Sequence, residues 1–190
     1  MDTESTLGQR GEQKRDERPI GSTGTRMQVR KRNGSLEPVD LNKIVSSIQR
    51  PSEGLSRVDA MRVATRTVSG IYDGATTREL DQLSIQTAAS LVTEEPEYGR
   101  LAARLLSTYI DKEVRNQDIQ SFSQSIARGR EVGMIGERVA RFVSVNARKL
   151  NDAIDHDRTR LFEYFGLRTL YDRYLLKHPE RRDVLETPQY

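Results

Sequence analysis

The chain has 190 residues, and its 31 lysines and arginines exceed its 28 aspartates and glutamates by only three, so it lacks the broad basic field that non-specific nucleic-acid binders use. Cysteine is absent, which excludes a disulfide framework, a thiolate metal site and cysteine-based catalysis within this chain. The longest apolar runs are a few residues and the N-terminus has no secretion-signal core, so a cytoplasmic protein without membrane contact is expected, with room for one domain and part of another.

Residues 1–26 hold five basic and five acidic side chains and almost no large apolar residue beyond Leu7 and Ile20. Such a segment buries too little to offset chain entropy, and a disordered leader is predicted. Gly21 to Thr25 is rich in glycine and hydroxyls, but no strand precedes it and no Gly-Lys-Ser/Thr follows, so it is not read as a phosphate loop.

From Val29 to Ile44 the chain combines a hairpin, a basic triplet and a capped helix start. Asn33-Gly34 predicts a two-residue type I′ turn, in which both central residues need positive φ. Arg30, Lys31 and Arg32 precede that turn and Glu37 follows it. Asp40 is the expected N-cap of a first helix over about 41–50, stopped by Pro51, with Leu41, Ile44, Val45 and Ile48 on one buried face. Such a unit suits a bound phosphate, although basic clusters are often only solvated surface.

A second helix is predicted over about 57–71 with Val58, Met61, Thr65, Val68 and Tyr72 on its inner stripe. Tyr72-Asp73-Gly74 breaks it. A third begins with Thr77 as N-cap, Glu79 and Asp81 in its first turn, and Leu80, Leu83, Ala88 and Leu91 inward. Pro96 suits the first position of a fourth helix, whose inner side carries Tyr98, Leu101, Leu105, Thr108 and then Lys112. Four amphipathic helices and a small sheet make a module of roughly 90 residues with its own core. Thr77 at a helix N-terminus could favour a phosphate, or serve only as a cap. Lys112 could follow apolar surface and deliver its ammonium to an edge. Only six of the 31 basic residues are lysines, and three of these, at 31, 43 and 112, fall near the proposed pocket.

Further on, Gly129, Gly133 and Gly136 read as connectors, and Val139, Phe142, Val143, Val145 and Leu150 suggest another helix. Asp155-His156-Asp157 is read as a loop element, because adjacent residues do not converge on one metal ion without special backbone geometry.

The residues from about 27 to 115 resemble an ATP-cone, the small nucleotide-sensing domain found at the N-terminus of many ribonucleotide reductase large subunits. The resemblance rests on V-x-K-R-x-G at Val29 to Gly34, Glu37 after the turn, D-L-x-K-I at Asp40 to Ile44, Y-D-G-x-x-T at Tyr72 to Thr77, and L-A-A-R-L at 101–105. It continues through I-D-H-D-R at Ile154 to Arg158, then Phe162, Tyr164, Leu170, Tyr174-Leu175 and E-T-P-Q at Glu186 to Gln189. These are similar to the start of the catalytic region of class I large subunits.

The resemblance implies a mainly α fold, a four-helix ATP-cone capped by a β-hairpin, followed by the first helices of a truncated reductase barrel domain. It divides the chain into a leader at 1–26, the cone at 27–115 and an incomplete helical part of the catalytic region at 116–190. It also implies that Lys31 and Arg32 bind nucleotide phosphates, that Glu37 and the segment Pro38, Val39, Asp40, Leu41, Asn42 and Lys43 border base and sugar, and that Thr77 and Lys112 complete the phosphate pocket. The implied effectors are ATP, favouring an active assembly, and dATP, favouring an inhibited one, each with Mg²⁺; no intrinsic redox cofactor is implied in this chain. The implied partners are the remainder of the large subunit, the small radical-generating β subunit and an oligomer formed through the parent, with no direct nucleic-acid contact. Asp81 departs from relatives that carry histidine there.

Reduction in this family uses cysteine radical and thiol chemistry, so this cysteine-free chain is expected to be inactive alone and to be an N-terminal piece or one half of a split subunit. Residues 116–190 are expected to be only partly stable without the barrel. Two readings compete. A stand-alone ATP-cone gene regulator would carry a cysteine-rich zinc ribbon, which this sequence lacks; a helical adaptor would spread Lys31, Thr77 and Lys112 beyond about 15 Å, the reach of one triphosphate and its hydrogen bonds.

Overall fold

The computed structural model describes residues 27–190; the leader and its glycine-rich run lie outside them. Two short strands, β1 (Gln28–Arg30) and β2 (Leu36–Pro38), pair antiparallel with Val29 opposite Glu37. The connection is not a type I′ turn. Lys31 C=O accepts from Gly34 N–H at 2.9 Å, Lys31 N–H reaches Ser35 C=O at 2.8 Å, and Gly34 alone adopts positive φ, at 86°. This is a three-residue loop with a glycine bulge. Asn33 keeps negative φ because its side chain is used elsewhere, its Oδ1 accepting from Ser35 N–H and hydroxyl at 3.1 and 2.7 Å.

The free edge of β1 is covered by the segment before the third helix. Gly74 N–H donates to Gln28 C=O at 2.8 Å, Arg30 N–H to Ala75 C=O at 2.9 Å, and Gln28 N–H to Asp73 Oδ1 at 2.7 Å. Gly74, at φ 84°, turns the chain there. These bonds fix the hairpin loop beside the N-terminus of that helix.

Four helices follow: α1 (Leu41–Ser52), α2 (Ala60–Ser69), α3 (Thr77–Ser90) and α4 (Glu97–Arg115). Asp40 caps α1 as expected, accepting from Asn42 and Lys43 N–H. Pro51 does not stop this helix but lies in its last turn, where Arg104 Nη1 donates to the Pro51 and Glu53 carbonyls at 2.8 and 2.7 Å. Ile44 and Ile48 are buried, but Leu41 is half exposed. In α2 the inner face is Val63, Ala64 and Thr67, whereas Met61, Thr65 and Tyr72 face outward. α3 starts one residue earlier than expected, with Thr76 as the cap. Its hydroxyl accepts from Glu79 N–H at 3.1 Å while the Glu79 carboxylate accepts from Thr76 N–H at 2.7 Å, a reciprocal capping box.

Those Thr76 hydrogen bonds, with a further one from Tyr72, hold the Glu79 carboxyl below its ordinary range. A depressed carboxyl stabilises the fold above its unfolded-state pKa and loses that contribution as pH falls through the folded value. As the loss of an N-cap hydroxyl, Thr76→Ala is expected to lower stability by about 1 kcal/mol at neutral pH, read as a reduced urea midpoint. The difference from wild type should shrink in acid.

α4 is the central element. It is buried at Tyr98, Leu101, Ala102, Leu105, Leu106, Tyr109, Ile110, Glu113 and Val114, so most of its circumference faces protein rather than one stripe. It packs against α1, α3 and the C-terminal segment, while α1 lies on α2 and α2 on α3. Thr108 and Lys112 fall outside the buried surface.

Beyond α4 come α5 (Phe122–Glu131), α6 (Glu137–Val145), α7 (Ala147–Asp152), a 3-10 turn (His156–Leu161), α8 (Tyr164–Thr169) and a π-helical turn (Leu170–Tyr174). Gly129 is no connector: it sits inside α5, where an added Cβ would lie 2.6 Å from Ile135 Cγ1. The helix expected around Val139 to Leu150 is split at Asn146, and of its apolar residues only Val143 is buried, with Phe142 and Val145 exposed. Asp155 caps the 3-10 turn by accepting from Asp157 N–H at 3.0 Å, and His156 stands edge-on to Tyr190.

One hydrophobic core runs through both halves, since Leu167, Leu175, Val184 and Leu185 join the cluster built by Ile48, Leu101, Leu106 and Ile110. A buried polar contact accompanies it: Tyr171 hydroxyl donates to Glu113 Oε2 at 3.1 Å. Burial pushes the Glu113 carboxyl up, an effect partly offset by the Tyr171 hydroxyl and the Arg78 guanidinium.

Candidate functional site

Where the hairpin, the start of α1, the start of α3 and the end of α4 meet, they enclose a cavity of about 530 Å³. That volume lies in the range of small-molecule sites. The hairpin loop contributes Lys31 and Arg32, β2 and its continuation contribute Glu37, Pro38, Val39 and Asp40, and the first turn of α1 contributes Lys43. Thr77 enters from α3 and Lys112 from α4. Nine of the eleven residues expected at a site thus border one cavity; Leu41 and Asn42, on other sides of the first turn of α1, do not.

Sequence reasoning missed the remaining wall. Val29, Ile44 and Leu80 supply an apolar floor, and Ser47, Ser84, Asn33 and Asn116 supply polar edges. Several were recoverable by helical periodicity: Ser47 stands one turn beyond Lys43, Asn116 one turn beyond Lys112, and Leu80, Asp81 and Ser84 continue the α3 face that begins at Thr77.

The cations are held by carboxylates. Lys31 Nζ lies 2.5 Å from Glu37 Oε1, and Asp81 takes both Lys112 Nζ, at 2.8 Å, and Arg32 Nη2, at 3.4 Å. The Lys31 ammonium, joined by Lys43, holds the Glu37 carboxyl below its ordinary range. Lys112 is a half-exposed rim residue rather than part of a buried face, and Lys31 is similarly exposed. Arg32 differs. Its side chain is only 20% exposed, its guanidinium carbon lies 5.6 Å from the centre of the Tyr109 ring, and its Nη1 is buried with no hydrogen-bond partner. A buried guanidinium nitrogen without an acceptor is costly, and an anion in the cavity would supply one once the guanidinium turned toward it.

The N-terminus of α3 contributes less than its position suggests, because the Glu79 carboxylate already takes the Thr76 amide and hydroxyl. Thr77, one residue further in, lines the cavity. Together the lining places four cations, three carboxylates and an apolar floor around one space, which suits a ligand with an anionic end and a flat apolar end. Among the described residues no group of three or more histidine, aspartate or glutamate side chains is placed to hold a metal ion, and no helix is long and apolar enough to cross a membrane.

A family model described as the ATP cone domain matches residues 27–113. The chain is 39% identical over 175 residues to the ribonucleoside-diphosphate reductase large chain 2 of Saccharomyces cerevisiae, covering 86% of this chain and 19% of that one. It is 39% identical over 169 residues to the corresponding large subunit of Caenorhabditis elegans, covering 85% of this chain and 21% of the relative. With the large subunit of Danio rerio the identity is 36% over 172 residues, 86% of this chain and 21% of the relative. The chain therefore spans about a fifth of the length of the relatives it matches.

Proposed function

From a chain that carries an ATP-cone domain and is homologous to ribonucleoside-diphosphate reductase large subunits over 86% of its length, we propose that residues 27–115 are the nucleotide-sensing, allosteric region of such a reductase. In this reading residues 116–190 are the helical start of the catalytic region, leading toward its barrel. The remainder of the large subunit and the small radical-generating subunit are the partners, in the cytoplasm. The effectors are ATP and dATP, with Mg²⁺ carried on their phosphates.

The observation that carries the reading is the gathering of Lys31, Arg32, Thr77 and Lys112 around one cavity, with the Arg32 Nη1 left buried and unpartnered. An adaptor without a nucleotide site has no need of that convergence. Arg32, Lys31 and Lys112 would hold the phosphates, the floor of Val29, Ile44 and Leu80 would take the base, and the Pro38 to Lys43 segment would flank the sugar. For ATP and dATP to act oppositely, each must bind two assembly states with different relative affinity, because equal affinity shifts nothing. A coupling of about 1–3 kcal/mol is enough.

Titration calorimetry with ATP and with dATP, each with Mg²⁺, tests this. Micromolar binding is expected, and the absence of heat from a demonstrably folded chain would overturn the reading. Asp81 sharpens the test, since its carboxylate occupies the cations a phosphate needs. Asp81→Asn is expected to bind ATP about threefold to tenfold more tightly, by removing a competing negative charge close to the phosphates.

A further inference from the structure

Occupancy of the cavity has a physical route to the far side of α4. Arg32 rests on the face of Tyr109, with 5.6 Å between its guanidinium carbon and the ring centre, and Tyr109 is itself only 3% exposed. The Tyr109 ring meets the Tyr171 ring edge-on, with centroids 5.9 Å apart and planes at 75°. Tyr171 belongs to the π-helical turn after α8, and its hydroxyl donates to Glu113 Oε2 at 3.1 Å. Arg78 then stands 4.0 Å from Glu113 and 3.2 Å from Asp183, in the last segment of the chain. Arg168 and Lys177 lie over Tyr171 at 5.5 and 4.9 Å, so the ring is held by cations from its own segment as well.

Arg32 is the joint in this series. Its bond to Asp81 is long at 3.4 Å, its guanidinium carbon stands 5.6 Å from the Tyr109 ring centre, and one of its terminal nitrogens has no acceptor, so its present seat is held by two weak contacts and leaves a donor unused. A phosphate that draws the guanidinium toward itself must take it from the ring. We propose that Arg32 is a switch residue shared between the nucleotide phosphates and the Tyr109–Tyr171 pair, so that nucleotide binding changes how firmly residues 164–185 sit on α4. This inference rests on the nucleotide reading of the cavity. The two Arg32 positions are the two states that a ligand biases, and the coupling is reciprocal: tighter seating of the segment on α4 disfavours nucleotide.

Hydrogen–deuterium exchange of the full chain, with and without saturating ATP and Mg²⁺, tests it beside calorimetry on the same samples. Amides of residues 167–176 are expected to exchange about threefold or more faster when ATP is bound. Tyr171→Leu, far from the phosphates, is expected to bind ATP with unchanged or modestly tighter affinity and to show no ATP-dependent change in that segment. A second variant, Arg32→Gln, guards against failure of Tyr171→Leu to fold: at ATP concentrations high enough to saturate its weakened site it too should leave the segment unchanged. ATP binding by wild type with no change at 167–176 would overturn the switch while leaving the nucleotide reading intact. A change that survives in Arg32→Gln or Tyr171→Leu would overturn the aromatic route, and no ATP binding by folded wild type would remove both.

Discussion

Arg32→Ala is expected to weaken ATP binding by about 30- to 100-fold in calorimetry at low salt, more than any other single substitution at the cavity. The expectation follows from burial rather than from charge alone. Lys31 and Lys112 are 42% and 44% exposed and already have carboxylate partners at 2.5 and 2.8 Å. Exposed ion pairs contribute about 0–1 kcal/mol, so truncating either lysine should cost a few-fold in affinity. The Arg32 side chain is 20% exposed and one of its nitrogens has no partner, so a phosphate gains a hydrogen bond from it while displacing only the long Asp81 contact and the Tyr109 ring. A hydrogen bond to a charged group in such surroundings contributes about 1.5–3 kcal/mol, which corresponds to roughly 10- to 150-fold in affinity. The planar fork matters too, because one guanidinium can span two phosphate oxygens. Arg32→Lys should therefore recover only part of the loss. Equal losses from Lys31→Ala and Arg32→Ala would show that the phosphates sit at the rim and not against the buried guanidinium.

The part of this site that is local in sequence was legible before any fold was known. The hairpin, its basic residues, the Asp40 cap and the inward run of α1 at Ile44 and Ile48 all follow from spacing and residue type. The register of the N-cap of α3 was legible as well but easily misplaced by one, because Thr76 and Thr77 are adjacent; only the glutamate three residues after Thr76 distinguishes them. What local pattern does not contain is what covers each helix. Thr67 and Ala64 are buried because α2 lies between α1 and α3, while the larger Met61 and Tyr72 remain outside. The burial of α4 on more than one face depends on α8, far along the chain, packing against it, which no single-stripe pattern predicts. The turn at Gly34 likewise hinged on whether Asn33 spent its side chain on Ser35, a choice made by the loop as a whole.

Leu167→Ala is expected to destabilise the whole described fold by about 3 kcal/mol, within the 2–5 kcal/mol seen for buried leucines. Leu167 is fully buried in α8, which packs on α4, and it belongs to the same continuous cluster as Ile48, Leu106 and Ile110. Removing three side-chain carbons there leaves a cavity in that shared cluster. Domains of this size are stable by about 5–15 kcal/mol, so the loss should move the urea midpoint substantially while leaving a folded population at low denaturant. Leu161→Ala is the matched control, since that leucine is 75% exposed and its removal should change stability by no more than about 0.5 kcal/mol. The shape of the transition carries as much information as its position. Far-ultraviolet circular dichroism reports all the helices, whereas the fluorescence of a tryptophan placed at the exposed Phe165 would report the C-terminal segment. Coincident curves, both shifted by Leu167→Ala, would mean that residues 164–185 unfold with the helices around α4. A Leu167→Ala shift confined to the fluorescence curve would mean that the segment detaches first. In that case the buried face of α4 would be exposed in an intermediate, and the seating of this segment would be the weakest joint in the molecule.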